Sequence, residues 1–137
     1  MLDRLEQDLR FFRTALSLRE YRQELIASNI ANADTPHFKA RDIDFKSALK
    51  AALGGEAAVG SPLELKRTHA AHLRGEAGDP YAALAKYRAE YQGAVDGNTV
   101  NMDVERAAFA ENALQTDALL TFINKRFEGL QRAINGQ

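Results

Sequence analysis

The sequence predicts a mainly α fold: long N- and C-terminal helices paired as a coiled-coil-like hairpin, with a small irregular or short-β insertion between them. Three observations predict it. Near the N-terminus Leu2, Leu5, Leu9, Phe12 and Leu16 recur at spacings of 3, 4, 3 and 4 residues. Near the C-terminus Phe109, Ala113, Thr116, Leu120, Ile123, Phe127, Leu130 and Ile134 recur at 4, 3, 4, 3, 4, 3 and 4, with Thr116 the one hydroxyl on the stripe. Either spacing lays an apolar stripe along a helix and matches the a and d positions of a coiled coil. Between them, from Thr35-Pro36 to Asp96-Gly97-Asn98, the period is lost and turn residues punctuate the chain. The boundaries are therefore 1–35 for the first helix, 36–98 for the insertion and 99–137 for the last helix.

In the first helix Asp3, Arg4, Glu6, Asp8, Arg10 and Arg13 cover the other faces with mixed charge. After Leu16 the stripe becomes irregular. Arg19 and Gln23 fall on it, while Leu18, Tyr21, Leu25 and Ile26 widen the apolar face. A helix apolar on two sides has more than one neighbour. The helix should end within Ser28-Asn29-Ile30-Ala31-Asn32-Ala33-Asp34-Thr35-Pro36. Asn29, Asn32 and Asp34 compete with the backbone for hydrogen bonds, and the residue before a proline is pushed out of the α region. The amides then either face water at a frayed helix end or meet polar groups of a partner.

Residues 37–44 should be extended or irregular. Asp44 is placed to cap a short helix over 45–53, with Phe45, Leu49 and Ala52 or Leu53 on one face and Gly54-Gly55 closing it. Residues 54–62 form a loop ended by Ser61-Pro62. Leu63 to Lys66 alternates like a short strand, and Thr68 could cap one helical turn through Leu73. Tyr81 to Glu90 has helical composition, yet the alternation of Tyr87, Ala89 and Tyr91 favours a strand over 86–91. Asn101 or Asp103 should cap the last helix, Asp103 and Glu105 complement its positive end, and Gly136 should stop it. Val104, Ala108, Leu119 and Phe122 lie off the C-terminal stripe and add a second apolar edge.

A length of 137 residues suits one domain. With 18 basic and 19 acidic side chains the net charge is −1, which lacks the basic excess of a nucleic-acid binder. The absence of cysteine excludes disulfides and thiolate metal sites. No apolar run reaches the roughly 18 residues of a membrane span, and Met1 to Glu6 has no basic and apolar regions of a cleavable leader.

Chemistry finds little support. Asp96-Gly97-Asn98 fails as a calcium loop, because Val100, Asn101 and Ala107 stand where a ligand, a glycine and a glutamate are needed. His69 and His72, with Glu76 nearby, could share a helical face, but a zinc site needs three or four ligands. Ser28 has no candidate base, and no glycine-rich loop is built to cradle phosphate. No catalytic residue, cofactor or metal ligand is expected.

The nine residues from Ser28 to Pro36, followed by Phe38-Lys39-Ala40-Arg41-Asp42-Ile43-Asp44-Phe45, resemble the signature near the N-terminus of bacterial flagellar rod and hook proteins. Ala40 to Phe45, Asp96 to Arg106 and Phe109-Ala110-Glu111-Asn112 are similar to the proximal-rod branch of that family. The Val-Glu-Glu-Met and Arg-Ala-Tyr-Glu runs that end distal rod and hook proteins do not occur. The likeness spans roughly residues 1–53 and 96–137. One departure is His37-Phe38 where the family usually has Gly-Tyr. Either the turn needs no positive φ, or His37 adopts it at some cost.

The resemblance implies a structural, non-enzymatic subunit of the proximal rod in the flagellar basal body, located in the periplasm. It further implies export through the flagellar type III apparatus without a cleavable signal. Helical polymerisation would join the export gate and inner-membrane ring to the rest of the rod. Such a subunit transmits torque and surrounds a central export channel. Its partners would be copies of itself, other rod proteins and components of the gate and ring. Phe12 and Leu16 fit the spacing of a phenylalanine and apolar pair implied in recognition by the gate.

Residues expected at subunit contacts are Leu5, Leu9, Phe12 and Leu16 on the first stripe, and Asn29, Ile30, Asn32, Asp34, Thr35 and Pro36 at the helix end. On the second stripe they are Phe109, Leu120, Ile123, Phe127, Leu130 and Ile134. Burying a large apolar side chain gains roughly 1.5–3 kcal/mol, while ordering each residue's backbone costs roughly 1–2 kcal/mol. Two helices meeting only each other fall short on those terms, so folding coupled to assembly is expected. A coiled-coil adaptor that binds one partner helix is the alternative.

Overall fold

The N-terminal apolar spacing produces one uninterrupted helix, α1 (Leu2–Ala31), and the C-terminal spacing produces another, α3 (Met102–Asn135). The computed structural model describes residues 2–54, 69, 81–89 and 94–136. Between the long helices lie strand β1 (Arg41–Asp42), helix α2 (Phe45–Gly54), a 3₁₀ turn (Ala82–Leu84) and strand β2 (Lys86–Tyr87). The strands pair antiparallel, Arg41 opposite Tyr87 and Asp42 opposite Lys86. The fold is thus the expected helical hairpin with a small, partly β insertion.

The two long helices run antiparallel. Asn29 meets Glu105 and Arg19 meets Asn112, Phe12 meets Phe122 with ring centroids 5.6 Å apart, and Asp8 pairs with Arg126 at 2.7 Å. Successive contacts descend α1 as they climb α3, so the connecting segments close one end and leave the other open.

On its second apolar side α1 receives α2. Leu18, Tyr21, Leu25, Ile43 and Ala48 form the buried cluster, flanked by Phe45, Leu49, Ala52, Tyr81, Leu84 and Ala85. The Arg19 guanidinium lies 3.6 Å from the Phe45 ring centroid, an amphipathic side chain covering an aromatic face. Asp44 caps α2: its carbonyl accepts from the Ala48 amide at 2.9 Å and its carboxylate from the Ser47 hydroxyl. Asn101, rather than Asp103, caps α3, its Oδ1 accepting from Asp103 N at 3.0 Å and Val104 N at 3.3 Å. Gly136 ends α3 in the left-handed conformation with φ 71°.

α1 ends inside the stretch expected to stop it, and α3 differs from the expectation in its rotation. α1 stops at Ala31, before Thr35-Pro36. Tight turns take over, with Ala33 N donating to Ile30 O and Thr35 N to Asn32 O, while the Asn32 side chain returns to Ser28 O at 2.8 Å. The face of α3 turned towards α1 carries Glu105, Ala108 and Asn112, all buried, and then half-buried Leu119 and Ile123. Much of the expected stripe, including Phe109, Ala113, Leu120 and Phe127, is left exposed along the flank of that face. The physical reason is polar. Glu105 and Asn112 find partners in α1 and the insertion, and those bonds fix the helix rotation.

Of the expected strand over 86–91, Lys86–Tyr87 is paired, Arg88 N continues the ladder to Ala40 O at 2.9 Å, and residues 90–91 lie outside the described residues. The expected strand at Leu63–Lys66, the turn capped by Thr68, and His72 lie outside the described residues.

Candidate functional site

The closed end is held by polar side chains that each join two or three segments. Asn29, 1% exposed, sits on the last full turn of α1. Its Nδ2 donates to Arg41 O at 2.8 Å and to Glu105 Oε2 at 3.2 Å, and its Oδ1 accepts from Arg41 N at 3.0 Å. Ala40 O faces β2, so Arg41 presents its backbone groups to the opposite edge. The Asn29 carboxamide seals that edge as a third strand would.

Charged groups complete the junction. Arg22 clasps Asp42 through Nε and Nη2 at 3.0 and 3.2 Å. Arg88 reaches Asp42 at 2.7 Å with one terminal nitrogen and Glu105 at 2.5 Å with the other. Two cations therefore match two carboxylates, linking α1, β1, the residue after β2 and α3. Burial pushes the Asp42 carboxyl up, but hydrogen bonds from Arg22 and Arg88 outweigh it and hold the pKa below its ordinary 3.8. No described buried side-chain nitrogen or oxygen is left without a partner.

Two further asparagines act as clamps. Asn98 directs Nδ2 at the carbonyls of Asn32, Ala33 and Thr35 at 3.0, 2.8 and 2.9 Å, gathering the chain that leaves α1. Asn112 donates to Arg19 O at 3.0 Å and Gln23 Oε1 at 2.7 Å, tying α3 to the middle of α1. Beside Asn98, His37 has φ 60°. The turn does need a positive φ, and histidine adopts it where the family usually has glycine. Its ring packs over Gly97, where a Cβ would fall 2.8 Å from His37 Nδ1.

The residues expected at subunit contacts separate by exposure. Leu9, Phe109, Leu120, Phe127 and Ile134, with Asp34, Thr35 and Pro36, are exposed. Leu5, Phe12, Leu16, Ile30, Asn32, Ile123 and Leu130 are half-buried. Asn29 is enclosed within the chain, and both Asn29 and Asn32 make their hydrogen bonds to the chain itself. On the flank of α3 beside its α1-facing side, Phe109, Leu120 and Phe127 are 42%, 41% and 48% exposed, and Ile134 is 83% exposed. Sequence reasoning missed Arg22, Asp42, Arg88, Asn98 and Asn112, and assigned Glu105 only to the helix dipole. A usable signal was present: Glu105, Ala108, Asn112 and Leu119 also follow helical spacing.

Among the described residues no group of three His, Asp or Glu side chains could hold a metal, and no described helix is long and apolar enough to cross a membrane. His69 is exposed, while His72 and Glu76 lie outside the described residues.

A family described as "Flagella basal body rod protein" matches residues 9–39, the stretch that holds most of α1, Asn29 and the turns after it. The chain is 45% identical to the flagellar basal body rod protein FlgB of Salmonella typhimurium, over 99% of each. It is 43% identical to FlgB of Escherichia coli over 98% of this chain and 97% of that protein. Identity to FlgB of Cereibacter sphaeroides is 47% over 90% of each. A full-length likeness of this kind, on a helical hairpin whose signature residues build its closed end, shows that the chain belongs to the FlgB family of flagellar basal body rod proteins.

Proposed function

We propose that the chain is a proximal-rod subunit that polymerises helically, joins the export gate and inner-membrane ring to the rest of the rod, and transmits torque around a central export channel. The observation that carries this reading is the exposed stripe on α3, Phe109, Leu120, Phe127 and Ile134. It runs beside the face that packs against α1, since Phe109 lies one turn from buried Glu105 and Phe127 one turn from half-buried Ile123. Large apolar side chains left this exposed along the flank of a helix mark an interaction surface. A helix whose apolar band is wider than α1 covers is suited to packing against neighbouring subunits as well. Export through the flagellar type III apparatus belongs to the same proposal, with Phe12 and Leu16 as the recognition pair.

The test is a paired substitution, Leu120→Asp with Phe127→Asp. Neither side chain touches the buried cluster of Leu18, Tyr21, Leu25, Ile43 and Ala48, so the closed end of the monomer should remain folded. In the assembled rod the two carboxylates would be desolvated without partners. The variant should be made and exported, yet cells should be non-motile and lack complete basal bodies. Normal motility with this pair would sink the proposal. Assembly into a discrete complex with one partner helix would instead favour an adaptor.

A further inference from the structure

The two edges of the β1–β2 ribbon meet different surroundings. Arg88 N donates inward to Ala40 O. One step along, Arg41 and Tyr87 are therefore the pair whose backbone groups turn away from each other. On the β1 side Asn29 receives them, its carboxamide taking both Arg41 N and Arg41 O. On the β2 side Tyr87 N and O point outward, and no described residue bonds to either. The Tyr87 side chain is 75% exposed, and Lys86 and Ala89 beside it are exposed as well. An open strand edge is a template for another extended chain.

The charge around this edge is one-sided. Arg41, directly across from Tyr87 on the same face of the ribbon, is exposed, and so is Lys86 at the adjacent position. The one carboxylate of the two strands, Asp42, turns inward to Arg22 and Arg88. Lys46 and Lys50 add two exposed cations on α2, which packs beside the chain entering β2. Asp44, the exposed anion within electrostatic reach of Lys86, accepts from the Ser47 hydroxyl at the start of α2.

We propose that the outer edge of β2 is a strand-addition site that accepts an extended, acidic segment of another protein as a third strand. Tyr87 N–H and C=O supply the backbone bonds that fix its register. The added residue opposite Tyr87 lies on the Arg41 face, and its neighbour lies on the Lys86 face. Arg41 stands two strand spacings away, about 10 Å, a span that an arginine and a glutamate side chain bridge together. Consecutive carboxylates therefore both meet a cation. A second copy is the poorer occupant. Its described extended stretches are tied to one another through Phe38 with Thr99, His37 with Asp96 and Ala40 with Arg88, and two β2 edges would bring like charges together. The edge is separate from the α3 stripe, and the proposal does not rest on the rod reading.

Amide NMR on the full-length chain tests this. In the free protein the Tyr87 amide should exchange rapidly, while the Arg88 amide, bonded to Ala40 O, is protected. A capped Glu-Glu-Val-Glu-Glu-Thr peptide at saturation should slow Tyr87 exchange roughly tenfold, and its lysine counterpart should not. Tyr87→Pro removes the outward donor, a change that strand edges tolerate because the N–H there faces away from the ladder. Peptide binding should be lost while Arg88 stays protected. Arg41→Glu with Lys86→Glu should switch the preference to the lysine peptide, which keeps the test decisive if Tyr87→Pro unfolds. A Tyr87 amide already protected in the dilute free chain overturns the proposal, as do equal responses to both peptides or none to the acidic one. Protection of Tyr87 that rises with protein concentration alone would make a second copy the occupant and overturn it too. No rod component enters the measurement, so its failure would leave the rod assignment standing.

Discussion

Asn98 offers two hydrogens to three carbonyls, so at least one is shared in a three-centre bond. Asn98→Ala would leave those carbonyls short of a donor at the turn after α1. The expected loss is about 1–3 kcal/mol, read as a lower urea midpoint with unchanged m-value. Asn29→Ala should likewise lower monomer stability by about 1–3 kcal/mol, even though alanine is the better helix former, because Glu105 and Arg41 lose their shared partner. A rise in stability would show that the carboxamide is not engaged. At the neighbouring turn, His37 and Gly97 both hold positive φ, and a side chain on Gly97 would strike the His37 ring. Gly97→Ala should therefore be destabilising. In a His37→Gly background the penalty should shrink to that of the backbone alone, about 1 kcal/mol. Equal penalties in both backgrounds would remove the steric part of this account.

At the scale of elements, the junction of α1, β1, β2 and α3 depends on Arg88, among the described residues the one guanidinium that touches both Asp42 and Glu105. Arg88→Met should cost about 3 kcal/mol, since it leaves the buried Glu105 carboxylate without its cation. Adding Glu105→Gln should recover part of that loss, because glutamine keeps an acceptor for Asn29 while removing the charge. A double variant no better than Arg88→Met would break the proposed coupling. The pH dependence has a definite sign. The Asp42 pKa is lowered in the folded state, so the native protein binds fewer protons there than the unfolded chain. Its stabilising contribution is complete above the ordinary value of 3.8, fades as pH falls through that value, and is gone below the lowered folded pKa. Urea midpoints followed from neutral pH to about 3 should fall less steeply in Asp42→Asn, which starts from lower stability.

For the whole molecule, packing predicts where a protease enters, because every buried side chain of the long helices lies within residues 15–29 or 105–112. Trypsin acting on the dilute monomer should cut at Lys125, Arg126 and Arg132 before Arg22 and Arg106, since local opening governs access. Early cleavage at Arg22 would show that the closed end opens as readily as the rest. Much of the architecture was legible beforehand: both long helices, the short helix over 45–53, the cap at Asp44, a cap at Asn101 or Asp103 and the stop at Gly136 follow from local pattern. These are properties of spacing and backbone chemistry within a few residues, and no tertiary context overrides them. The rotation of α3 was not legible, because two stripes on it have helical spacing and periodicity alone cannot rank them. The polar one won the inner position through Glu105 and Asn112, whose partners lie 76 and 93 residues away in the chain. The end of α1 at Ala31 was decided in the same way, by Asn98 drawing the following carbonyls out of helical register. Sequence by itself therefore determined the three helices and the family. Tertiary structure decided which face each helix turns inward, since a buried amide or carboxylate is stable only where a distant partner completes its hydrogen bonds.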